Sequence, residues 1–500
     1  MTDRASGAIR VWRARTARTS GDGAYAVYIA LMVALVAVAP VARAVWLSLT
    51  GADGLRALTS AAAPEATILL TSALWAGALL LGRDRGPALR PPFPTYALAT
   101  SDLARSDAFR GPVLRAGALV TVLTATIAGS IGAGLVHRGV VDPLDAGAFV
   151  AAGALVGVLA TVAWLAGQAF PRAAMLLAVG VLALGAATAA VPGAASFTPW
   201  GWVGLAYPGG GSSHALPALT ALIALTAVLV ASAPMLMRRL DLADLMAQAA
   251  RWDSATSHAT GMDFGAAAMI YQRRPSVGRR FRAVRPFRRS AATFLIRDAI
   301  GAVRTPGRLA VSVVALAAAG ALTTLAFTPG TPGWALGAAA GLILFAGLGP
   351  LTDGVRHAAS VAADMPLYGV GDEQLLARHA LFPLTVVFVV LLTAAVVGAV
   401  VAGIAVGGPI LGSLVLGPLA LIARIGNAVK GPLPPALLTP IPTPMGDLGA
   451  AVRLAWSLDG MLLTAVAGAA AALVFESPLL LLGVAGALLG IGVHRWRHRS

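Results

Sequence analysis

The sequence predicts an all-α, polytopic integral membrane protein of about twelve transmembrane helices in two pseudo-repeated six-helix halves. Hydrophobic residues make up 58% of the 500 residues and charged residues only 12%, whereas charged residues are about a quarter of soluble domains. The apolar residues form runs long enough to cross a bilayer. A basic segment followed by about six such runs occurs twice along the chain.

Each predicted span is a run of about twenty mostly apolar residues, the length that a helix needs to cross a hydrocarbon core about 30 Å thick. Pro171 and Pro478 are expected at helix starts, where a missing N–H removes no hydrogen bond. The predicted spans of the first half are 25–48, 66–82, 112–136, 146–169, 172–191 and 215–237. Those of the second half are 308–328, 334–352, 380–406, 409–426, 457–475 and 478–494.

The arginines predict the orientation, because positively charged loops stay on the cytoplasmic side. With twelve spans and an inside N-terminus, only Arg43, Arg56 and Arg138 among the 37 basic residues fall on the outer side. Both termini are therefore predicted to be cytoplasmic, and the protein to lie in the inner (cytoplasmic) membrane. No cleavage site follows a short apolar core near the start, so we expect the first span to be retained.

The chain is expected to divide into a first half over 1–237, a basic cytoplasmic linker over 238–290 and a second half over 291–500. Between residues 273 and 308 there are eleven arginines and one acid, Asp298. Such a segment can bind anionic lipid at the inner leaflet, at about 1 kcal/mol per arginine near the surface, or dock a partner protein. Nucleic-acid binding is not expected, because the arginines lie between apolar spans and not on a soluble face with stacking aromatics.

Several kinds of active site are excluded by residue type. The chain has no cysteine, so thiolate nucleophiles and thiolate metal sites cannot form. Lys430 is the only lysine, and its surroundings do not match the GxxxxGK[ST] loop that cradles nucleotide phosphates. Residues 369–372 match the GxGD pattern of intramembrane aspartyl proteases, but no second aspartate lies within a span to complete the catalytic pair of carboxylates. We therefore predict no catalytic residue, no metal ion and no cofactor, and the chain itself is not expected to be an enzyme.

The spans contain almost no side chain that carries a coupling ion. Ion-driven transporters place carboxylates or histidines within their helices, whereas here Asp459 and Glu476 flank one span and His137 lies at an outer boundary. A secondary transporter is therefore disfavoured. The argument is stronger for protons than for sodium, because backbone carbonyls at broken helices also bind sodium.

Glycines recur at four-residue spacing in several spans, a pattern that permits two helices to approach closely. Because the chain has 57 glycines, the pattern predicts tight packing without specifying a dimer. The pattern occurs at Gly153/Gly157, Gly333/Gly337/Gly341, Gly403/Gly407 and Gly486/Gly490.

Two loops are unusual in composition. Phe197, Trp200 and Trp202 precede the sixth span on the predicted outer side. They are expected either in an aromatic belt at the membrane surface or in a re-entrant, outer-gate element. On the inner side, the proline-rich segment 432–444 predicts an extended spacer or a docking surface for a soluble partner.

Short patterns also recur between the halves. A stretch that reads as an amphipathic interfacial helix precedes the first span of each half, at 8–13 and 294–300. A Pro-x-Tyr triplet, an aspartate and a proline follow the second span of each half. These are Pro94, Tyr96, Asp102 and Pro112 in the first half, and Pro366, Tyr368, Asp372 and Pro383 in the second.

Together these features resemble the ABC-2-type exporter permeases, and more narrowly a group of fused, twelve-span ABC-2-like membrane proteins of high-GC bacteria. Permeases of this superfamily have six spans preceded by an elbow helix, a cytoplasmic coupling segment between spans two and three, and aromatic re-entrant structure before the last span. The resemblance covers nearly the whole chain, once per half. The chain departs from the half-sized permeases by fusing both halves and by the proline-rich insertion at 427–456.

The resemblance implies elbow helices over 7–18 and 291–307 and coupling segments over 94–111 and 364–379. Charged residues of the coupling segments would face a separate ABC-type ATPase, present in two copies. The alternative for these charges is a solvated loop. The coupling candidates are Asp102, Arg105, Asp372, Glu373 and Arg378, and the outer-gate candidates are Phe197, Trp200 and Trp202.

The function that the resemblance implies is the transmembrane subunit of an ATP-driven exporter, with ATPase activity only in the partner subunit. A hydrophobic or amphipathic substrate is expected, because few polar groups line the spans. The alternative function is a non-transporting membrane scaffold that recruits cytoplasmic proteins through its arginine-rich linker. Such a scaffold would need no ATPase and would tolerate changes in the coupling segments.

Overall fold

The computed structural model of the chain divides into two compact units. Unit 1 comprises residues 1–259 and 266–271, and unit 2 comprises residues 260–265 and 272–500. Most of the described residues are helical. The structure describes residues 39–209, 215–260, 264–272, 277–278, 280, 290–361, 370–431, 433–434, 437, 439, 442–443 and 446–498, together with positions 7, 27, 28 and 31.

The described part of unit 1 contains eleven helices and one 3₁₀ turn, at Ala194–Phe197. The helices are α1 (Ala39–Thr50), α2 (Ala52–Leu58), α3 (Ala62–Asp84), α4 (Pro92–Ala99), α5 (Arg105–His137), α6 (Pro143–Ala169), α7 (Ala174–Ala190), α8 (Pro199–Leu205), α9 (Ala215–Arg238), α10 (Leu242–Thr260) and α11 (Phe264–Ile270).

Unit 2 contains eight further helices and a 3₁₀ turn, at Gly349–Thr352, within the described residues. The helices are α12 (Ser290–Val303), α13 (Pro306–Ala326), α14 (Gly333–Leu348), α15 (Asp353–Val361), α16 (Asp372–Ala402), α17 (Gly407–Ala428), α18 (Leu448–Ala472) and α19 (Pro478–Arg497). In the proline-rich segment, Pro442–Thr443 and Gly446–Asp447 form a two-residue antiparallel ladder, and the predicted extended conformation lies partly outside the described residues.

The chain is a multi-pass membrane protein. Within the described residues, ten helices are long and apolar enough to cross a membrane. Ten of the predicted spans correspond to these helices, and the fifth corresponds to α7, which is apolar but has only 17 residues. The first predicted span, 25–48, lies mostly outside the described residues. The ten helices are α3, α5, α6, α9, α13, α14 with its continuation to Val361, α16, α17, α18 and α19.

Several prolines lie where the sequence did not predict them. Pro478 opens α19 as expected, but the expectation for Pro171 is wrong, because α7 begins at Ala174. Pro112 and Pro383 lie inside α5 and α16, which begin earlier than the predicted spans. A proline inside a helix leaves the carbonyl four residues earlier without its N–H partner.

At Pro112 a side chain replaces the missing helical donor. The carbonyl that Pro112 leaves free belongs to Ala108. The guanidinium of Arg90 donates to that carbonyl, with Nη2 at 3.2 Å from the oxygen. Helix α5 therefore continues across Pro112, because Arg90 from outside the helix supplies the hydrogen bond that the proline cannot.

In unit 1, α6 packs against α3, α5 and α9. A Cβ added to Gly157 would lie 2.5 Å from the Cα of Thr121 on α5, so only glycine fits at this crossing. Trp75 of α3 donates from its indole N–H to the Val156 carbonyl at 3.1 Å. The glycine pattern predicted at Gly153/Gly157 is therefore the contact surface between α6 and α5.

Helix α10 lies within the stretch that the sequence assigned to a linker, yet it belongs to unit 1. It buries Leu245, Gln248 and Ala249. The Gln248 side-chain oxygen accepts from the side-chain amide of Gln168 on α6 at 3.1 Å. The first part of 238–290 is thus packed onto the helices, whereas most of its arginines between 273 and 289 lie outside the described residues.

In unit 2, α14 packs against both α13 and α18, and α17 packs against α16, α18 and α19. The closest approach is between α14 and α18. A Cβ on Gly341 would lie 2.1 Å from the Thr464 carbonyl oxygen, and a Cβ on Gly468 would lie 2.0 Å from the Gly337 carbonyl oxygen. By contrast, no described atom lies within 4 Å of a Cβ added to Gly486 or Gly490.

The only lysine joins three elements of unit 2. Lys430 Nζ lies 2.9 Å from Asp459 Oδ1 on α18 and 3.8 Å from the centre of the Trp456 ring. The guanidinium of Arg495, on α19, binds the other carboxylate oxygen of Asp459. Only 5% of the lysine side chain is exposed, and burial lowers the pKa of Lys430 below its usual value. Asp459 therefore ties the end of α17 to α18 and α19.

Candidate functional site

Helix α16 is attached near its start to helix α12 by a buried polar pair. His379 of α16 is fully buried, and its Nδ1 lies 2.6 Å from Oδ2 of Asp298 on α12. The other ring nitrogen, Nε2, lies 3.4 Å from a guanidinium nitrogen of Arg297. These partners fit a neutral imidazole that donates from Nδ1 and accepts at Nε2.

A third element closes around this pair. A Cβ on Gly354 of α15 would lie 2.4 Å from His379 Nδ1 and 2.5 Å from Asp298 Oδ2, so glycine is required there. The ring of Phe294 on α12 contacts His379 edge to face, with the centroids 4.9 Å apart. The elements α12, α15 and α16 therefore meet at one buried carboxylate–imidazole pair.

The pair adjoins a cavity of about 270 Å³ lined by Arg297, Asp298, Asp353 and His357, among others. Asp353 pairs with Arg308 at 2.9 Å and also with Arg356. Within the described residues, no three His, Asp or Glu side chains come together in a way that could hold a metal ion. The cavity therefore presents paired charges and no metal centre.

Of the second-half coupling candidates, Arg378 contacts the residues around this pair. Asp372 and Glu373 occupy the first turn of α16, where carboxylates interact favourably with the helix dipole. The Arg378 guanidinium lies 5.7 Å from the centre of the Phe294 ring on α12, and residues 364–369 lie outside the described part of the chain. Arg378 thus contacts α12, which corresponds to the second predicted elbow helix, and Glu373 is exposed.

The first-half coupling candidates lie between α4 and α5. Asp102 is exposed in the turn, and Arg105 is the first residue of α5. The predicted coupling segment 94–111 is therefore a short helix, a turn and the first turns of a long helix. The first predicted elbow helix, 7–18, lies outside the described residues apart from position 7, whereas the second corresponds to α12, which ends at Val303.

The outer-gate candidates have three different environments. Trp200, on α8, is buried against Trp75 with ring centroids 6.2 Å apart, and its indole N–H donates to Thr188 Oγ1 at 2.9 Å. Trp202 is half-buried, and its N–H donates to the Ser196 carbonyl at 2.8 Å. The Phe197 side chain is 85% exposed. Helix α8 packs against α3 and α9, so Trp200 anchors this segment, which is predicted to lie on the outer side, and Phe197 does not.

Tyr207 is a second anchor of this segment, although it is not among the outer-gate candidates predicted from the sequence. Its hydroxyl donates to the Leu58 carbonyl at 2.8 Å, and its ring meets Phe149 at 5.2 Å. Burial raises the pKa of Tyr207 to about 12, so the hydroxyl stays protonated and able to donate at neutral pH. One aromatic residue just after a tryptophan-rich stretch gave no local signal of this contact.

We expect Tyr207→Phe to lower the free energy of unfolding by about 1 kcal/mol, the usual net value of one buried hydrogen bond. The stabilisation is fully present below pH 10 and is lost as the pH rises towards 12, because the folded protein favours the protonated phenol. Thermal unfolding of the detergent-solubilised protein measures the change. Tyr96→Phe is the matched control, since Tyr96 is 54% exposed, and equal effects of the two changes would contradict the assignment.

The sequence also missed the Asp298–His379 pair. Asp298 was noticed only as the single acid among eleven arginines, and His379 was not singled out. The available signal was that one buried acid needs a donor and that His379 lies one to two helical turns beyond the charged start of α16.

Comparisons of the chain with models of known protein families, with curated proteins and with solved structures found no match.

Proposed function

We propose that the chain is the transmembrane subunit of an ATP-driven exporter of the ABC-2 type, working with a separate ATPase. The observation that carries the proposal concerns the two longest helices of the described residues. These are α5, with 33 residues, and α16, with 31. Each of these helices begins within a predicted coupling segment, α5 at Arg105 and α16 at Asp372.

Both helices are longer than a membrane requires. At 1.5 Å per residue, α5 is about 50 Å long and α16 about 46 Å, whereas the hydrocarbon core is about 30 Å thick. The excess at the charged start of each helix would extend the helix into the cytoplasm. A partner that moved these ends would move each span as a rigid lever.

The contacts of α16 support transmission of such a movement. Its inner end holds α12 through the buried pair of His379 and Asp298 and through Arg378 over Phe294. A displacement of the first turns of α16 would therefore carry the interfacial helix with it. In unit 1, Arg90 binds the Ala108 carbonyl within α5 and so ties the preceding segment to the start of that helix.

The substrate that we propose is hydrophobic or amphipathic. The buried polar residues within the described spans are mostly threonines and serines, and several threonines donate to a carbonyl of their own helix, as at Thr161, Thr226 and Thr323. Those hydroxyls are already satisfied. The spans therefore offer mainly apolar surface to a transported molecule.

Co-purification tests the proposed partner. The tagged chain, extracted from its native membrane in mild detergent, should carry a P-loop ATPase in two copies, identified and quantified by mass spectrometry. The double charge reversal Asp102→Arg and Glu373→Arg should abolish recovery of the ATPase, because both carboxylates are exposed at the starts of the long helices.

The matched control is Glu476→Arg, which reverses an exposed charge in the loop between α18 and α19 on the predicted outer side. It should leave the ATPase bound. Recovery of the chain without any ATPase, under conditions that preserve a known ABC complex, would refute the exporter and favour the scaffold.

A further inference from the structure

A basic pocket opens at the inner end of unit 1, between the segment that follows α3, the first turns of α5, and helices α6 and α10. Its volume is about 340 Å³. Three arginines line it, Arg85, Arg90 and Arg115, together with Trp164 and Trp252. None of the described residues that line it is acidic.

The wall of the pocket is rigid. The backbone N–H of Gly86 donates to the Gln248 side-chain oxygen at 3.0 Å, and the backbone N–H of Ala88 donates to the Gln168 side-chain oxygen at 3.1 Å. Both glutamines are almost completely buried. A Cβ on Gly86 would lie 1.8 Å from Gln168 Cδ, so glycine is the residue that fits at position 86. Buried hydrogen bonds of this kind hold a binding surface in one conformation.

Arg85 is held flat against one wall. Its guanidinium carbon lies 3.2 Å from the centre of the Trp252 ring, and its carbonyl accepts from the Trp164 indole N–H at 2.6 Å. Burial lowers the pKa of Arg85 below its usual value. A stacked guanidinium keeps its in-plane N–H groups available to an oxyanion.

The other two arginines converge on one point. The Nη2 atoms of Arg90 and Arg115 lie 3.5 and 3.8 Å from the position of a Cβ added to Gly111. Arg90 is fixed there by its bond to the Ala108 carbonyl. Two positively charged guanidinium groups that converge on one position favour an anion between them, and phosphate oxygens fit such groups well.

We infer that this pocket binds a phosphate-bearing anion through Arg85, Arg90 and Arg115, and that the anion is the headgroup of an anionic phospholipid of the inner leaflet. The apolar surface next to Arg115 supports a lipid as the source. Leu114, Leu119, Val122 and Leu123 of α5 are all more than half exposed, and acyl chains would cover them. The site is separate from the arginine-rich stretch 273–308 and does not depend on the proposed export function.

The test measures binding of phosphatidylglycerol to the full-length, delipidated protein by native mass spectrometry, with phosphatidylcholine as the neutral lipid. Loss of charge-assisted hydrogen bonds in the double variant Arg90→Gln and Arg115→Gln should weaken phosphatidylglycerol binding at least about tenfold. The matched control, Arg110→Gln and Arg172→Gln, removes two exposed arginines outside the pocket and should weaken binding less than about twofold. Equal losses in the two double variants, or no loss in either, would overturn the site.

A second variant guards against a folding defect. Gly111→Leu keeps all arginines and places a side chain between the two guanidinium groups, at a helical position with no other described atom within 4 Å. It should reduce phosphatidylglycerol binding while leaving the apparent melting temperature of the lipid-free protein unchanged. Normal binding by this variant would contradict the pocket.

A third arm distinguishes the source of the phosphate. Inorganic phosphate at millimolar concentration is titrated against the same variants by isothermal calorimetry. Binding of the lipid without measurable binding of inorganic phosphate supports the phospholipid. Tight binding of inorganic phosphate that requires Arg90 and Arg115 and displaces the lipid would overturn the lipid as ligand and show a soluble phosphate compound in its place.

Discussion

Replacing Gly341 by alanine should destabilise unit 2 by about 1–3 kcal/mol, the usual cost of forcing an extra carbon into a packed interior. The new Cβ would lie 2.1 Å from the Thr464 carbonyl oxygen. On the opposing helix, a Cβ on Gly468 would lie 2.0 Å from the Gly337 carbonyl oxygen. Two backbones, and not a flexible side chain, would have to move. Helices α14 and α18 would therefore separate along their whole crossing.

The matched control for Gly341→Ala is Gly486→Ala on α19. It makes the same chemical change at the same kind of glycine pattern, but no described atom lies within 4 Å of the added carbon. Alanine is favoured over glycine in a helix by up to about 1 kcal/mol, so this variant should be neutral or stabilised. Apparent melting temperatures in detergent, followed by size-exclusion chromatography, compare the two. Equal melting temperatures would show that α14 and α18 do not meet as described.

Asp298→Ala is expected to be nearly as damaging. It leaves the fully buried His379 without the acceptor that now lies 2.6 Å from Nδ1, and a hydrogen bond to a charged group is worth about 1.5–3 kcal/mol. For a unit of this size, about 2–4 °C of melting temperature corresponds to each kcal/mol. We therefore expect a decrease of about 3–12 °C, accompanied by faster proteolysis near α12.

Asp353→Ala is the control for Asp298→Ala. Asp353 also pairs with arginines, Arg308 and Arg356, but its side chain is 46% exposed. Exposed ion pairs contribute about 0–1 kcal/mol, so the melting temperature should change little. A larger effect at Asp353 than at Asp298 would mean that the exposed ion pairs of Asp353 stabilise unit 2 more than the buried pair does.

The spans could be predicted from the sequence because apolar runs of about twenty residues are a local property. The helix bounds were less accurate at α5 and α16, which begin before the predicted spans and contain Pro112 and Pro383. Pro112 is tolerated inside α5 because Arg90, distant in the chain, binds the carbonyl that it frees. No local rule contains that information.

Glycine patterns show the same limit. The spacing is identical at Gly337/Gly341 and at Gly486/Gly490, yet only the first pair contacts another helix in the described residues. Spacing states which residues share a helix face, but not which face meets a neighbour. The buried pair of Asp298 and His379 was missed for a related reason, since 81 residues separate its members. The coupling candidates, by contrast, follow from the resemblance to ABC-2-type permeases, and their role stays a prediction.

The environment of Lys430 makes its side-chain amine a chemical reporter of local unfolding. Lys430 is the one lysine side chain among 500 residues that an amine-reactive reagent can modify. It contacts Asp459 and Trp456, and 5% of its surface is exposed. Acylation of Lys430 requires that the ends of α17, α18 and α19 separate, so its extent would report that local opening without any engineered probe.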